Sequence, residues 1–369
     1  MGLGILIGVN NTPNEELTGQ VGSVEVYEKI DQATSYKIRF MVDICDGDIA
    51  HALEEYTDPG SVLSVLVEVN DELVCLVKGP VSRQEAHLQH GGAGSWLEVE
   101  GTDSSQDMDR EPVNHVWDNV TDADIATTIL SQNYQMSTDV EATAGSAHME
   151  ATHTLNQQES DLSLVRRLAQ RNGFHFWITY NADGVATGHF KSRSLNGEAE
   201  TELIVNMENS NIDNLRITWD TRRPTQVQSQ QVDARTLQVM GGTPISLNGE
   251  TALGEQDLAS ISGNSPQTIH LAPPTDDSGA HQARAEAALR EAQWFINATC
   301  RTSLHQLCSK IIRSHTLVDI QGAGSRHSGK YYVTGVKHLI GPVAHIMEVE
   351  LARNAWGSAG EGGLLGGIF

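Results

Sequence analysis

The sequence predicts an α+β fold, mainly β, with two similar small β-units at its ends and an α/β region between them. Three observations carry that prediction. Gly329-Lys330-Tyr331-Tyr332-Val333-Thr334-Gly335-Val336-Lys337-His338, followed by Ile346-Met347-Glu348-Val349-Glu350-Leu351-Ala352-Arg353-Asn354, reads as a pair of strands closing a β-unit. A fainter copy lies near the N-terminus, where Leu76-Val77-Lys78-Gly79-Pro80-Val81-Ser82-Arg83 precedes Trp96-Leu97-Glu98-Val99-Glu100-Gly101. Each copy follows a strand of one type, Leu66-Val67-Glu68-Val69 in the first and Leu317-Val318-Asp319-Ile320 in the second. Repetition inside one chain constrains architecture before any single residue does. Runs of this kind also recur by chance in β-proteins, so pattern alone leaves the repeat open.

The first third, 1–115, reads as β. Ser23-Val24-Glu25-Val26-Tyr27 and the run from Ser35 to Val42 alternate as half-buried strands do. Asn70-Asp71 marks a tight hairpin between two strand patterns. His90-Gly91-Gly92-Ala93-Gly94 is a loop tip with no βα phosphate-binding context. Residues 116–223 change character. Thr121, with Asp124 three residues on, opens a helix carrying Ile125 and Ile129 on one face. Ser160 caps a second helix, Leu164, Val165 and Leu168 share its apolar face, and Gly173 ends it. Phe174, Phe176 and Ile178 then alternate into a strand, which places His175 on the wetter face. Residues 224–280, rich in Gln, Ser, Thr, Gly and Pro, read as a loose insertion or arm. In 281–356 an Ala-rich helix, from His281 to about Thr299 with Glu286 and Arg290 at pairing distance, precedes a second β-unit from about Ile311 to Asn354. Residues 357–369 form a flexible Gly-rich tail in which Leu364, Leu365, Ile368 and Phe369 offer a small apolar anchor.

Length and charge narrow the function. A chain of 369 residues can bury two or three cores. It contains no apolar run of about 18 residues, and its N-terminus lacks a basic leader region, so membrane insertion and general secretion are not expected. Cys45, Cys75, Cys300 and Cys308 form no Cys-x-x-Cys pair and read as reduced residues of a protein made in the cytoplasm. The net charge of −24 argues against specific nucleic-acid binding. That charge is uneven. Residues 1–115 hold 6 basic and 21 acidic side chains, a net −15, whereas 281–369 hold 9 and 6, a net +3. General solubility or a saline habitat is the competing explanation, given only 7 lysines.

Candidate chemistry is sparse. His148-Met149-Glu150-Ala151-Thr152-His153 is not a His-Glu-x-x-His zinc helix, and its surroundings read as loop. His315, His327, His338 and His345 cluster around the second β-unit and suggest surface or subunit contacts rather than ligation. No Gly-x-Ser-x-Gly elbow occurs. Neither catalytic nor cofactor-binding nor metal-binding residues are expected.

The Thr-Asp-Ala-Asp-Ile-Ala helix, the helix and strand from Glu159 to Phe174, and the closing unit from Gly329 to Asn354 come in an order that resembles the baseplate hubs of contractile tails. These are the phage late control protein D family and the hub half of the VgrG spikes. The resemblance covers about 20–356 and is weakest over 224–280. It implies two small tube-forming β-barrels with the α/β region between and outside them. It further implies a homotrimer whose six barrels match a sixfold tail tube on one side and a threefold spike on the other. VgrG chains continue into an OB-fold and a β-helical spike, so here a separate spike protein is expected. The other expected partners are the tail tube protein and other baseplate proteins, within a phage virion tail or a phage-tail-like injection particle. Two further classes stay open: a tail-associated peptidoglycan hydrolase or peptidase, and a monomeric carbohydrate-binding β-protein. If the two β-units alternate around a ring, acidic residues of 1–115 meet basic ones of 281–369 such as Arg301, Lys310, Arg313 and Arg326.

Overall fold

In the computed structural model, described residues run from 4 to 357, apart from 11, 43–50, 91, 146, 150–153, 233–236, 242–243, 247–250, 264–265 and 272–277. The chain is mainly β, as expected. The strands that matter most are β1 (Ile5–Val9), β2 (Val21–Lys29), β3 (Ser35–Met41), β4 (Val62–Val69), β5 (Glu72–His87) and β6 (Trp96–Thr102) in the first unit. The middle contributes β7 (His175–Tyr180) and β8 (Ala186–Lys191). The second unit uses β9 (Thr201–Ile204), β10 (Asn214–Trp219), β11 (Ile296–Ser303), β12 (Leu317–Gln321), β13 (Gly329–Ile340) and β14 (His345–Arg353).

The two units share one topology. In the first, hydrogen-bonded neighbours run β2-β3-β6-β5-β4; in the second, β10-β11-β14-β13-β12. Each is a set of five strands ordered first-second-fifth-fourth-third, with every pairing antiparallel. A further strand flanks the third in each: β1 antiparallel to β4, and β9 parallel to β12. Even the irregularities correspond, since β5 carries a register shift between Val81 and Arg83 where β13 carries one between Val333 and Gly335. The repeat expected from sequence is therefore present. The long fourth strand splits its pairing in both units, its first part bonding the third strand and its second part the fifth. At the turning point of β5 the backbone passes so close to β6 that a Cβ on Gly79 would lie 1.8 Å from the Thr102 carbonyl oxygen, which only glycine permits.

Pairing of β13 with β2 joins the two units into one 13-stranded sheet. Among the described residues this path is open; β10 at one end does not pair with the Thr12–Pro13 strand at the other. Each unit has its own core. Ile7, Val24, Val26, Ile38, Phe40, Leu63, Val77 and Val99 fill the first, and Phe295, Ile296, Val318, Tyr331, Val336, Val349 and Leu351 the second. Fully burying a side chain of this class stabilises by about 1.5–3 kcal/mol before entropy is counted.

A third core belongs to the middle, built from α1 (Asp122–Thr128), α2 (Asp161–Asn172) and the β7–β8 hairpin. Its helices start and stop as their sequences require. The Thr121 side chain accepts from the Asp124 N–H and Asp124 reciprocates, completing a capping box. Ser160 accepts from Ser163 N–H, and Gly173 ends α2 at φ 71°, a left-handed position. Asn70 and Asp71, at φ 50° and 65°, form the β4–β5 hairpin turn.

Several expectations need correction. The Ala-rich helix, α3 (Ser278–Ala292), stops seven residues before Thr299, and β11 takes over, because Ile296, Ala298, Cys300 and Thr302 alternate inward against the second core. The second unit is accordingly not confined to 311–354: β10 and β11 supply its first two strands. His175 is buried, not on a wet face, with its Nδ1 2.8 Å from Asp31 Oδ1. Part of 224–280 is ordered, with Gln226–Val232 pairing Thr268–Leu271 in parallel and Val227 buried against Leu289 of α3. Among the described residues no helix is long and apolar enough to cross a membrane.

Candidate assembly interface

The joint between the units gathers ion pairs on one face and a buried acid on the other. Its register runs from Gly335 opposite Lys29 to Ile340 opposite Val24. Alternation sends Glu25, Tyr27, Lys29 and Lys337 to the face away from the cores. There Lys337 Nζ lies 2.9 Å from Glu25, Lys29 Nζ lies 3.0 Å from Glu350, and the Tyr27 hydroxyl donates to Glu350 over 2.8 Å. The same face continues across β3, β6 and β5 through Lys37–Glu98, Lys37–Glu100, Arg39–Glu98 and Arg83–Glu100 pairs. Pairs with both partners exposed contribute about 0–1 kcal/mol each, whereas Glu98 is itself buried between Lys37 and Arg39.

On the opposite face the joint holds a buried charge. Glu28, 3% exposed, accepts from Arg313 Nε at 2.6 Å and from the Ser314 backbone N–H at 3.1 Å. The same guanidinium donates to the Cys75 and Leu76 carbonyl oxygens of β5 at 3.1 and 3.2 Å. One arginine thus ties β2, β5 and the segment before β12 together. Burial pushes the Glu28 carboxyl up, but Arg313, His338 and the Ser314 N–H outweigh it and hold its pKa at about 2. His338 Nε2 lies 3.6 Å from Glu28, and its Nδ1 is 3.0 Å from His345 Nε2. Burial and then the neighbouring His338 push His345 down to about 3. His338 and His345 are therefore interior residues, against the surface or subunit contacts their clustering suggested; β13, which carries His338, is paired by β2 on one side and β14 on the other.

Among the described residues, two strand edges stay unpaired. Residues 82–90, the outer half of β5 and its exit, are all exposed, although the matching part of β13 is covered by β2. Strand β10 bonds β11 on one side and, among the described residues, nothing on the other. Leu88, 60% exposed, and Trp219, 53% exposed, stand on these two edges.

The remaining sequence candidates scatter. Arg301 is exposed on β11 opposite Glu348, Lys310 is exposed, and the Arg326 guanidinium stacks 4.9 Å above the Trp356 ring. Arg313 is committed within the chain. Leu364, Leu365, Ile368 and Phe369 lie outside the described residues. His148 Nε2 sits 2.8 Å from Asp122, whose carboxylate also accepts from Arg171 and Asn172, so this histidine belongs to a polar knot between α1 and α2; His153 lies outside the described residues. Among the described residues no group of three or more His, Cys, Asp or Glu is placed to hold a metal ion. A cleft of about 250 Å³ beside the joint is lined by Trp177, His189, Lys191, Arg313 and His315. There the His315 ring stacks on Trp177 at 3.6 Å, an aromatic contact that wedges the middle region against the second unit.

A family model described as the Alg8 N-terminal domain matches residues 5–341. No curated protein matches the chain in sequence. The fold is similar to that of the 43 kDa tail protein of prophage MuSo2 from Shewanella oneidensis, with a TM-score of 0.67 at 13% identity over 95% of this chain and 98% of that one. It is similar to a tail protein from Neisseria meningitidis MC58, with a TM-score of 0.64 at 14% identity over 96% and 97% of the two chains. An Escherichia coli component of the type VI secretion system, itself described as similar to the T4 tail proteins gp27 and gp5, matches with a TM-score of 0.57 at 13% identity, over 96% of this chain and 79% of that one.

Proposed function

The chain belongs to the Alg8 N-terminal domain family, and from its fold and internal repeat we propose that it is a structural baseplate hub of a contractile injection machine. Three copies form a ring in which two like units per chain alternate, six around the circumference. One side of the ring meets a sixfold tail tube and the other a threefold spike. The two curled units are its tube-forming barrels. The observation that carries this reading is the identical five-strand order found twice in one chain and already joined edge to edge. A closed ring needs head-to-tail contacts that use two different patches, and one chain with two similar but unequal units supplies them. The charge imbalance between 1–115 and 281–369 acts in the same direction, since unlike neighbours attract and like ones repel.

Light scattering of the full chain, alone and with its spike, tests the proposal. A trimer mass is expected. A monomer, or a twofold dimer, at every concentration in both samples would refute it. Clearing of a peptidoglycan gel by the purified protein would move the assignment to the hydrolase reading.

A further inference from the structure

We propose that the outer half of β5 and the edge strand β10 of a second copy pair antiparallel, repeating between chains the joint that β13 and β2 make within one. This deepens the ring reading and rests on it, because it names the strands and the register by which the copies meet.

The register follows from the repeat. The bulges match Gly335 to Arg83, and their partners on the fifth strands are Glu350 and Glu100. Crossing to the second strands, Glu350 opposes Thr299 and Glu100 opposes Lys37. Crossing again to the first strands, Thr299 opposes Arg216 and Lys37 opposes Glu25. Arg216 is therefore the counterpart of Glu25, and Asp220 that of Lys29. Within the chain, Leu339 opposes Glu25 and Gly335 opposes Lys29. Between chains the same rungs become His87 opposite Arg216, Glu85 opposite Thr218, and Arg83 opposite Asp220.

Three observations support this occupant for these edges. Among the described residues neither edge pairs with another strand, while their internal counterparts are covered. Unpaired edges of this length invite a strand from another chain. The derived register is complementary in character: the Arg83 cation faces the Asp220 anion on the polar side. On the other side Leu88 faces Leu215 and Gln84 faces Trp219, removing the exposed apolar surface of Leu88 and Trp219. A slip of one residue would send every side chain to the wrong face, and a slip of two in one direction sets Glu85 against Asp220. The two kinds of joint would also differ. Where the internal joint has Glu28 gripped by Arg313, the joint between chains has Trp219, so only the internal one contains the buried acid.

Paired cysteines test the register in the full chain carrying Cys308→Ser, which removes an exposed native thiol. Directly opposed strand residues have Cα atoms about 4.5–5.5 Å apart, inside the disulfide range of about 4.4–6.8 Å. Glu85→Cys with Thr218→Cys, under mild oxidation, is expected to shift most of the protein to the mass of a covalent trimer, and Glu85→Cys with Asn214→Cys is not. A trimer by light scattering that forms no link between positions 85 and 218 would overturn the pairing and leave the ring reading standing. A covalent dimer from Thr218→Cys alone would overturn it in favour of β10 pairing with itself. A protein that stays monomeric and unlinked at every concentration would overturn both.

Discussion

Arg313→Met probes the internal joint most sharply. Glu28 would remain buried beneath β13 without the cation that neutralises it, and stranding one member of a buried pair costs about 3–5 kcal/mol. The pH dependence supplies an independent magnitude. Lowering Glu28 from its ordinary 4.5 to about 2 corresponds to about 3 kcal/mol of stability at neutral pH. Because the folded-state pKa is the depressed one, this stability is present above about pH 4.5 and is lost as the pH falls toward 2. Urea unfolding between pH 7 and pH 3 reads both quantities. Wild type is expected to lose about 2 kcal/mol from this group by pH 3. Arg313→Met is expected to be weaker than wild type at pH 7 by about 3–5 kcal/mol and to lose less on acidification. Glu28→Gln combined with Arg313→Met should recover much of the deficit, since no charge is then stranded. A deficit at pH 7 below about 1 kcal/mol, the range of an exposed pair, would refute the argument. So would an acid slope in Arg313→Met equal to that of wild type.

Other outcomes follow from the same geometry. Gly173→Ala forces a side chain into the left-handed cap of α2, 3.1 Å from Ala287, and should lower stability by about 1 kcal/mol in thermal or urea unfolding. Arg353→Met removes a fully buried guanidinium that donates to the Leu253, Ser328 and Gly357 carbonyl oxygens. Leaving those acceptors unmet should cost about 1–3 kcal/mol for each that finds no water, visible as a lowered Tm. Truncation after Gly357 should leave the Tm unchanged and weaken incorporation into particles, measured by sedimentation with the spike; equal incorporation would remove the anchor role of Leu364, Leu365, Ile368 and Phe369. Raising salt from about 0.05 to 1 M shortens the Debye length to about 3 Å and should favour dissociation of the trimer without unfolding the chain; an equally stable trimer in both buffers would remove the charge argument.

Local features were legible in the sequence because local forces set them. Ser160, Thr121, Gly173 and the Asn70-Asp71 turn do in the structure what their side chains and backbone freedom dictate. The repeated strand signatures also suggested two like units, left open by pattern alone and present in the matching strand orders. What escaped was pairing between distant segments. Strands β9, β10 and β11 join a unit whose remaining strands begin at Leu317, and no periodicity in 214–219 announces a partner near residue 300. The Ala-rich composition of α3 also masked the onset of β11, where the alternation of Ile296, Ala298 and Cys300 was the available signal. His175 was placed on a wet face from the alternation of its strand, and His338 and His345 at surface or subunit contacts from their clustering. In the structure these three side chains point to the buried side of their strands, where His175 meets Asp31 and His338 meets Glu28 and His345. The bare edges at 82–90 and β10 could be recognised only once their covered twins were seen.

Electron microscopy of the purified protein, or of particles containing it, tests the central claim most directly. The account predicts a threefold ring with six lobes around an axial opening, adjacent lobes being alternately the first and second unit. Isolated single chains, or a twofold assembly with β10 and the outer half of β5 left in solvent, would contradict it.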